Sequence, residues 1–580
     1  MTWELMDAKN VVVTPRQYSN GKTQDSVVNE SIDALQNNKF IVIIGGVGTG
    51  KSAIALHIVK HFGSGIIVVP TKVLEHQYQD DYCGAKKYHL PGLDVEYMVG
   101  KGNFRCKYVN DRWSCTHSDE PCNRPLNKKP NSENEEDNVY KGETRLMAAS
   151  ICQYWSPVYP MHTEKTVRQY LLSHTHSALP YTSISGEKLW FAADCPCEYY
   201  RQFSYYTKAC ALLMNAAKWE IETYIGRKPA VPIEIIDEGD EFLDSLSYQV
   251  RLDEKFFRAL RKENEINARD LDMLEQAFLD ILRDNEGYEG KLDNETVLFI
   301  NNFQESLKEC SSSSVAFDKL SKLTRIAENV QFAYVFVRHD ALTVFMPRPD
   351  ITLQKIFANS QRIVLMSATM QSRQTLKDIF GIEPCIIIAE DHSPGTLKIK
   401  MTGRESMVTY RTWQDPEYQK QYHDTLNHIV QIAHRPTLVQ VHAKKYVPLQ
   451  HQRDLENEGF VDGVWWSTKT DRGVDLPDDT CRAIVLMKYP MPDMNDVVLK
   501  TMRSLLGEGK FWMYMNDIAT RNLVQQCGRG LRHNDDWCEV WSPDSKCLAM
   551  LQRVWNGKKT VENAAVGKTL RELKAMREHR

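Results

Sequence analysis

FIVIIGGVGTGKSAIALHIVKHF, from Phe40 to Phe62, is the stretch of sequence that decides the fold. It begins with a run of apolar residues that is typical of a buried strand. The run passes through GGVGTGKS, from Gly45 to Ser52, into a segment whose apolar residues recur at helical spacing. A strand, a glycine-rich loop and a helix in this order match the phosphate-binding loop G-x-x-x-x-G-K-[ST]. A second buried-strand candidate at 66–69 follows the helix, and this alternation predicts a parallel α/β sheet.

The side chains of this loop suit a nucleotide bound with Mg²⁺. Glycines allow backbone N–H groups to converge on a phosphate at the start of a helix. Lys51 can neutralise the β- and γ-phosphate oxygens, and the hydroxyl of Ser52 can join the Mg²⁺ shell. We therefore expect ATP and Mg²⁺ as cofactors, bound by the loop residues Gly45, Gly48, Thr49, Gly50, Lys51 and Ser52.

Two acidic residues stand at the end of a later strand-like run, IEIIDEGD, from Ile233 to Asp240. In this position Asp237 would hold Mg²⁺ and Glu238 would deprotonate the attacking water. An isolated pair of carboxylates more often just faces solvent. Here the phosphate-binding loop and the preceding strand favour the catalytic interpretation.

The C-terminal half predicts a second α/β domain, because sheet-like runs resume at RIVLMSAT (362–369) and continue through TLVQVHA (437–443) to AIVLMKY (483–489). This half also contains QQCGRGLR, from Gln525 to Arg532, which fits Q-x-x-G-R-x-x-R. Arg529 and Arg532 are three residues apart, so they share a helix face and can reach one phosphate as arginine fingers. A solvated basic helix is the alternative interpretation of these eight residues.

The composition is that of a globular protein. Of its residues, 42% are hydrophobic and 26% are charged. Its length of 580 residues corresponds to roughly four domains. A net charge of -4 produces no global positive field, so a nucleic acid would have to bind at a local basic patch. No secretion signal or long apolar run is visible, and we expect a cytoplasmic protein that does not enter membranes, associated with the nucleoid in a prokaryote.

Cysteines are concentrated in one region. Six of the 14 lie between Cys106 and Cys197. In a reducing compartment such a cluster suggests metal ligation rather than disulfides. The cluster contains no C-x-x-C pair, so the paired knuckles of a zinc ribbon are missing, although spacing leaves both zinc and iron–sulfur chemistry open.

Taken together, the motifs resemble those of the superfamily 2 helicases, and their order along the chain is the same. The cysteine-rich insertion and the helical segment after it resemble the iron–sulfur helicases of the XPD/DinG type. The resemblance extends over 24–544. The motifs that carry it are GGVGTGKS, VVPTKVLEHQYQDDY (68–82), IIDEGDEF (235–242), MSATM (366–370), STKTDRGVDLP (467–477) and QQCGRGLR.

This resemblance implies an α/β fold with two RecA-like P-loop motor domains, an inserted iron–sulfur module and an inserted helical arch. In the arch, apolar residues at three- and four-residue steps between 252 and 284 predict helices. The expected divisions are 1–100 (motor domain 1, P-loop), 101–210 (iron–sulfur insertion), 211–248 (motor domain 1, DEGD strand), 249–335 (helical arch), 336–395 (motor domain 1, SAT motif) and 396–580 (motor domain 2).

The resemblance also assigns roles to residues. Gln24 would contact adenine, Ser367 and Thr369 would couple hydrolysis to movement, and Gly473 and Asp475 would lie at the interdomain cleft. It implies a [4Fe-4S] cluster, with Cys115 and Cys195 as competitors for the middle ligand positions. The expected ligands are Cys106, Cys122, Cys152 and Cys197. The expected catalytic residues are Lys51, Asp237, Glu238, Arg529 and Arg532, and the nucleotide-binding set adds Gln24, Asp475 and Gln525 to the loop.

One departure from the family is visible in the sequence. The family usually has DEAH, whereas Gly239 and Asp240 occupy the last two positions here. An aspartate cannot donate a hydrogen bond as a histidine can. The family role of that residue in coupling ATP to DNA is therefore in question for this chain.

The resulting hypothesis is an ATP-dependent DNA helicase that moves 5′ to 3′ on single-stranded DNA. Its expected partners are single-stranded DNA, DNA junctions and repair or replication proteins, and the expected state is a monomer. Aromatic and basic residues interleaved at 199–208 are candidate strand contacts, with core packing as the alternative. The competing functions are a single-strand translocase without processive unwinding, a non-hydrolysing ATP- and DNA-binding scaffold, and a small-molecule P-loop kinase.

Overall fold

A computed structural model provides the structure of the chain. It describes residues 2–46, 48–83, 87–100, 103–105, 107, 154, 156, 158–160, 178–208, 210–263, 266–307, 315–390, 395–468, 476, 478–531, 535–555 and 564–565.

Strands and helices alternate over most of the described chain. The strands are β1 (Met6–Asp7), β2 (Phe40–Gly45), β3 (Gly65–Val69), β4 (Tyr88–His89), β5 (Asp94–Met98), β6 (Tyr159–Pro160), β7 (Ala178–Thr182), β8 (Lys188–Ala192), β9 (Cys210–Asn215), β10 (Glu234–Asp237), β11 (Tyr248–Asp253), β12 (Glu289–Lys291), β13 (Tyr334–Arg338), β14 (Ala341–Met346), β15 (Ile363–Ser367), β16 (Cys385–Glu390), β17 (Thr396–Met401), β18 (Thr437–Gln440), β19 (Val464–Ser467), β20 (Ala483–Leu486), β21 (Trp537–Trp541) and β22 (Ala564–Ala565).

The α-helices are α1 (Gln24–Asn37), α2 (Lys51–Phe62), α3 (Lys72–Tyr82), α4 (Glu198–Arg201), α5 (Ala216–Tyr224), α6 (Gly239–Asp244), α7 (Glu254–Glu263), α8 (Ala268–Asp284), α9 (Asn294–Leu307), α10 (Val315–Ala327), α11 (Pro349–Ile356), α12 (Arg373–Phe380), α13 (Pro416–Ile432), α14 (Val497–Cys527) and α15 (Ser545–Trp555). Short 3-10 helices span Gln202–Thr207, Val330–Phe332, Thr412–Gln414, Lys444–Tyr446, Leu449–His451, Arg453–Glu456, Asp478–Thr480 and Gly528–Gly530.

The first large sheet has seven strands in the order β16-β2-β15-β10-β3-β9-β5, all parallel. Successive side chains of a strand point to opposite sides of the sheet, and here both sides are buried. In β2, Ile41 and Ile43 pack with helices α1 and α2, whereas Val42 packs on the other face. This explains the continuous apolar runs that the sequence shows at its strands.

The second large sheet has the order β19-β18-β20-β21-β17-β22 and is also parallel throughout. Its strands likewise divide their side chains between two cores: Leu438 and Ile484 face one, and Val439 and Val485 face the other. The predicted α/β class with two parallel-sheet domains is therefore confirmed.

Between these sheets in sequence lies a four-stranded antiparallel sheet, β11-β14-β13-β12, packed with helices α7 to α10. The predicted helical character is present, since the buried residues of α8 lie at three- and four-residue steps. The predicted end of the insertion at 335 differs from the observed pairing, because β13 and β14 form a hairpin that pairs with β11. Local periodicity could not reveal this pairing, since β11 and β14 are far apart along the chain.

Helix α14 is an element of the second domain that contacts the first. Its N-cap residue is Asp496, whose side chain accepts hydrogen bonds from the backbone N–H groups of Val498 and Leu499. The helix is interrupted at Gly507, where φ is 75°, a backbone conformation that glycine adopts without steric strain. Among the described residues, no helix is both long and apolar enough to span a bilayer.

Candidate nucleotide site between the two domains

Three adjacent strands of the first sheet end at the same edge. They are β2, which leads into the glycine-rich loop, β15, which ends at Ser367, and β10, which ends at Asp237. The carboxyl edge of a parallel sheet is where ligands bind in folds of this class. The fold therefore brings the three motifs of the first domain together.

The glycine-rich loop has the backbone that a phosphate cradle requires. Gly48 and Gly50 have φ values of 75° and 76°, and helix α2 begins directly afterwards at Lys51. The Nζ of Lys51 donates to the carbonyl of Gly45 at 3.0 Å. Because the first backbone N–H groups of a twelve-residue helix open into this loop, these residues fit phosphate groups. Val47 lies outside the described residues.

Gln24, the expected adenine contact, lies against the loop. Its Nε2 donates to the carbonyl of Thr49 at 3.1 Å, and its Oε1 accepts from the backbone of Arg16 at 2.8 Å. The hydroxyl of Tyr18 donates to the same Thr49 carbonyl at 2.9 Å. A Cβ on Gly50 would lie 2.2 Å from Nε2 of Gln24. The side chain of Gln24 therefore supports the loop from behind.

Asp237 is 2% exposed and is held by a residue that motif reasoning missed. The hydroxyl of Tyr78 donates to its Oδ2 at 2.9 Å and also hydrogen-bonds with Ser52. Burial raises the pKa of Asp237, and the charge of Lys51 opposes that rise. Burial, and then the charge of Asp237, raise the pKa of Tyr78 well above its ordinary value. Tyr78 therefore connects the two residues expected to hold Mg²⁺.

The chain turns sharply at the second acidic residue. Glu238 has φ 50° and ψ 49°, a left-handed conformation that a residue with a side chain rarely adopts. At the next residue, a Cβ on Gly239 would lie 3.0 Å from the Cβ of Leu365. The glycine that replaces the alanine of DEAH therefore allows close packing against strand β15.

Asp240 is fully buried and is the meeting point of three motifs. It accepts hydrogen bonds from Ser367 Oγ at 2.7 Å and Thr369 Oγ1 at 3.1 Å, both in the SAT motif. It also accepts from Nε2 of Gln525, which reaches across from helix α14 at 2.8 Å. The same Nε2 lies 2.7 Å from Thr369 Oγ1. The aspartate that departs from DEAH therefore contacts the other domain, as an acceptor.

The second domain supplies the end of helix α14 to this edge. Gln525 contacts Asp240 rather than the glycine-rich loop. Arg529 follows in the turn Gly528–Gly530, and its carbonyl accepts from the backbone of Leu476 at 3.3 Å. Three further residues expected at the site lie outside the described residues: Gly473, Asp475 and Arg532.

Comparison with known proteins relates this arrangement to helicases. Residues 414–555 match the model of the helicase C-terminal domain. Among solved structures, an XPD helicase is 15% identical with a TM-score of 0.57, over 94% of this chain and 99% of the other. The chain has the fold of the XPD helicases.

Two further structures agree with this result. An XPD structure in its apo form is 14% identical with a TM-score of 0.56, covering 93% of this chain and 100% of the other. Xpd4 of S. tokodaii is 12% identical with a TM-score of 0.50, covering 93% and 99%. No curated protein matches the chain in sequence. The predicted resemblance to the XPD helicases is confirmed as a likeness of fold.

The cysteine module is described only at its C-terminal end. Of the four expected ligands, Cys197 is described and buried, directly before helix α4. Its competitor Cys195 is buried too, and its thiol donates to the carbonyl of Tyr154 at 3.7 Å. The other expected ligands, Cys106, Cys122 and Cys152, lie outside the described residues, as does Cys115. Over the part of the chain that the structure covers, no three potential ligands form a metal site.

The aromatic residues at 199–208, which the sequence offers as contacts to single-stranded DNA, lie mostly in the protein core. Phe203 and Tyr206 are buried, and a guanidinium, that of Arg227, lies 4.7 Å from the ring centre of Phe203. Beneath them the fully buried Glu222 accepts hydrogen bonds from Arg227 and from Lys218. Burial opposes ionisation of Glu222, but these two cations outweigh it and lower its pKa to about 2. Core packing, the alternative interpretation, describes these aromatic side chains.

Proposed function

We propose that the chain is an ATP-dependent DNA helicase that moves 5′ to 3′ on single-stranded DNA. The observation that carries the proposal is the contact of Gln525 with Asp240 and Thr369, at the edge that also holds the glycine-rich loop. A residue of one domain there touches the hydrolysis motifs of the other. Such a contact is what a motor needs in order to convert hydrolysis into relative movement of two domains.

The roles of the residues follow from their positions. Bound ATP would supply the phosphoanhydride bond that is hydrolysed, and Mg²⁺ would neutralise part of the charge on its phosphates. Lys51 would neutralise phosphate oxygens, while Ser52 and Asp237 would hold the metal, and Tyr78 hydrogen-bonds with both of these side chains. Glu238 takes the proton of the attacking water. Arg529 and Arg532 act as arginine fingers from the second domain, as in related P-loop enzymes.

The proposal includes a [4Fe-4S] cluster held by Cys106, Cys122, Cys152 and Cys197. Thiolates are the ligands that such clusters require, and a cluster would cross-link parts of the chain that are far apart in sequence. The test is the iron content and visible absorption of protein purified without oxygen. We expect Cys106→Ser to lose both and Cys195→Ser to keep both. A colourless wild-type protein that contains zinc would contradict the cluster.

The enzymatic test is a steady-state ATPase assay with and without single-stranded DNA. We expect DNA to stimulate turnover in the wild type and Lys51→Ala to abolish the stimulated rate. Lys60→Ala is the matched control, because Lys60 lies on the same helix but pairs with Glu4 on its outer surface. Turnover retained by Lys51→Ala would refute the assignment of the site, and ATPase insensitive to any nucleic acid would favour a small-molecule kinase.

Two further measurements separate the competing functions. Strand separation on duplexes with 5′ or 3′ overhangs tests unwinding and polarity, and an RNA strand tests the preference for DNA. Movement along single strands without separation would favour the translocase. Binding of ATP without turnover would favour the scaffold.

A further inference from the structure

Helix α14 presents a polar stripe to the first domain in addition to Gln525. Asp517, Arg521 and Gln525 follow each other at four-residue steps, so they share one face of the helix. All three contact residues of the first domain. Only Gln525 belongs to the Q-x-x-G-R-x-x-R motif, and the proposed function leaves the other two without a role.

Arg521 is enclosed by carboxylates. Its two terminal nitrogens bind both oxygens of Asp244 at 2.8 and 3.0 Å, and its Nε donates to Asp517 at 3.0 Å. Asp240 lies 3.5 Å from the same guanidinium. The Arg521 side chain is only 5% exposed. We call Arg521, Asp244 and Asp517 the clasp, since Asp244 belongs to the first domain and the other two to the second.

The clasp also holds the segment that follows the SAT motif. Asp517 accepts from the backbone N–H of Ser372, the residue that caps helix α12, at 3.0 Å. Asp244 accepts from Nε2 of Gln371 at 3.1 Å. The segment from Thr369 to Ser372 therefore has one contact with Gln525 and two with the clasp carboxylates. Arg521 neutralises both carboxylates, and its two-pronged contact with Asp244 fixes where they lie.

Removing one member of a buried ion pair is costly, because the remaining charge stays in a region of low dielectric without a partner. Loss of the guanidinium would leave Asp240, Asp244 and Asp517 close together and repelling one another. The second domain would then move away from the edge of the first sheet. The contacts of Gln525 would be lost with it, although Gln525 itself is unchanged.

We propose that Arg521 and Asp244 are positioning residues: their ion pair sets the contact in which Gln525 reaches Asp240 and Thr369, and so controls how strongly DNA stimulates hydrolysis. The stimulation part of this inference rests on the proposed function. The structural part, that the pair holds the segment after the SAT motif, does not.

The experiment is a double-mutant cycle of Arg521→Gln, Asp244→Asn and the two together, in the full chain. Arg503→Gln is the matched control, because Arg503 lies on the same helix and pairs with Glu508 in an exposed position. We expect each single variant to lower the DNA-stimulated turnover by roughly tenfold while the basal rate and the KM for ATP change less than about twofold. Since both variants break the same pair, the double variant should be no worse than either one. Fully additive losses, or equal losses of basal and stimulated rates, would overturn the proposal.

A second measurement does not depend on ATPase activity. Amide hydrogen exchange of Ser372 should be at least roughly tenfold faster in Arg521→Gln than in the wild type, and unchanged in Arg503→Gln. Unchanged exchange would overturn the clasp even if the chain is a helicase, and faster exchange in a chain without ATPase would uphold the clasp and refute the proposed function. If Arg521→Gln does not fold, Arg521→Lys keeps the charge without the two-pronged contact. Wild-type stimulation and exchange in that variant would also overturn the proposal.

Discussion

Replacing Asp240 by asparagine tests whether the departure from DEAH is functional. The substitution keeps the shape of the side chain and removes its charge. In the structure the carboxylate accepts from Ser367, Thr369 and Gln525 at 2.7 to 3.1 Å. An asparagine offers one acceptor oxygen and places an NH₂ donor against groups that now donate.

The magnitude follows from these contacts. A hydrogen bond to a charged acceptor contributes about 1.5–3 kcal/mol. The two hydroxyls can rotate and donate elsewhere, so we assign the loss to the contact with Gln525, which joins the domains. If that contact is made in the rate-limiting arrangement, stimulated turnover should fall by roughly 10- to 100-fold. Basal turnover should change much less, because Lys51 and Glu238 are intact.

Restoring the family residue provides a sharper version of the same test. Asp240→His introduces a larger ring with at most one acceptor nitrogen into a fully buried position surrounded by donors. We expect it to be at least as damaging as Asp240→Asn. The control is Asp284→Asn, an exposed carboxylate at the end of helix α8.

The assay is ATP turnover at saturating ATP with and without single-stranded DNA, accompanied by thermal unfolding to exclude loss of the fold. Wild-type stimulation in Asp240→His would refute the reasoning, because it would mean that the acceptor contacts are not required. So would an equal loss in the Asp284→Asn control.

Three other predictions follow from single positions. Gly50→Ala should lower the free energy of unfolding, because its Cβ would lie 2.2 Å from Nε2 of Gln24 and φ is 76°. Adding Gln24→Ala should restore the free energy of unfolding only in part, since the strained backbone remains, and full restoration in denaturant unfolding would contradict that strain. Gly239→Ala should lower the free energy of unfolding by about 1–2 kcal/mol, because its Cβ would lie 3.0 Å from strand β15. The control Gly509→Ala lies in helix α14 with open space around it and should raise the free energy of unfolding by up to about 1 kcal/mol. Equal denaturation midpoints for the two variants would contradict both expectations. Glu222 has a pKa of about 2 against an ordinary value of 4.5, so its ionised form should contribute about 3 kcal/mol to the free energy of unfolding above pH ~4.5. This contribution should disappear as the pH falls toward 2. Glu222→Gln should abolish the corresponding pH dependence of stability in acid denaturation.

The sequence was most informative where chemistry and local structure coincide. Gly45 to Ser52 could be identified because a strand, glycines and a helix must follow one another directly in order to bind phosphate. The same holds for Asp237 at the end of β10. The interleaved aromatic residues misled for the opposite reason, since alternation of rings and cations also describes a core in which Arg227 packs on Phe203.

Local patterns could not predict contacts between residues that are far apart along the chain. The hydroxyl of Tyr78 lies on Asp237, and strand β11 pairs with β14, but neither segment carries a signal for the other. For Arg521 a weak signal existed, because it lies one helical turn before Gln525. Its partner Asp244 was beyond reach.

By itself the sequence determined the α/β class and the motifs of the first domain, because these depend on side-chain periodicity and on residues that are neighbours along the chain. Only the tertiary structure decided what Asp240 does. In the sequence it is a residue that cannot donate, and in the fold it is a buried acceptor for Ser367, Thr369 and Gln525. The reason is physical: a carboxylate can remain buried only where donors converge on it, and here one of those donors comes from a different domain.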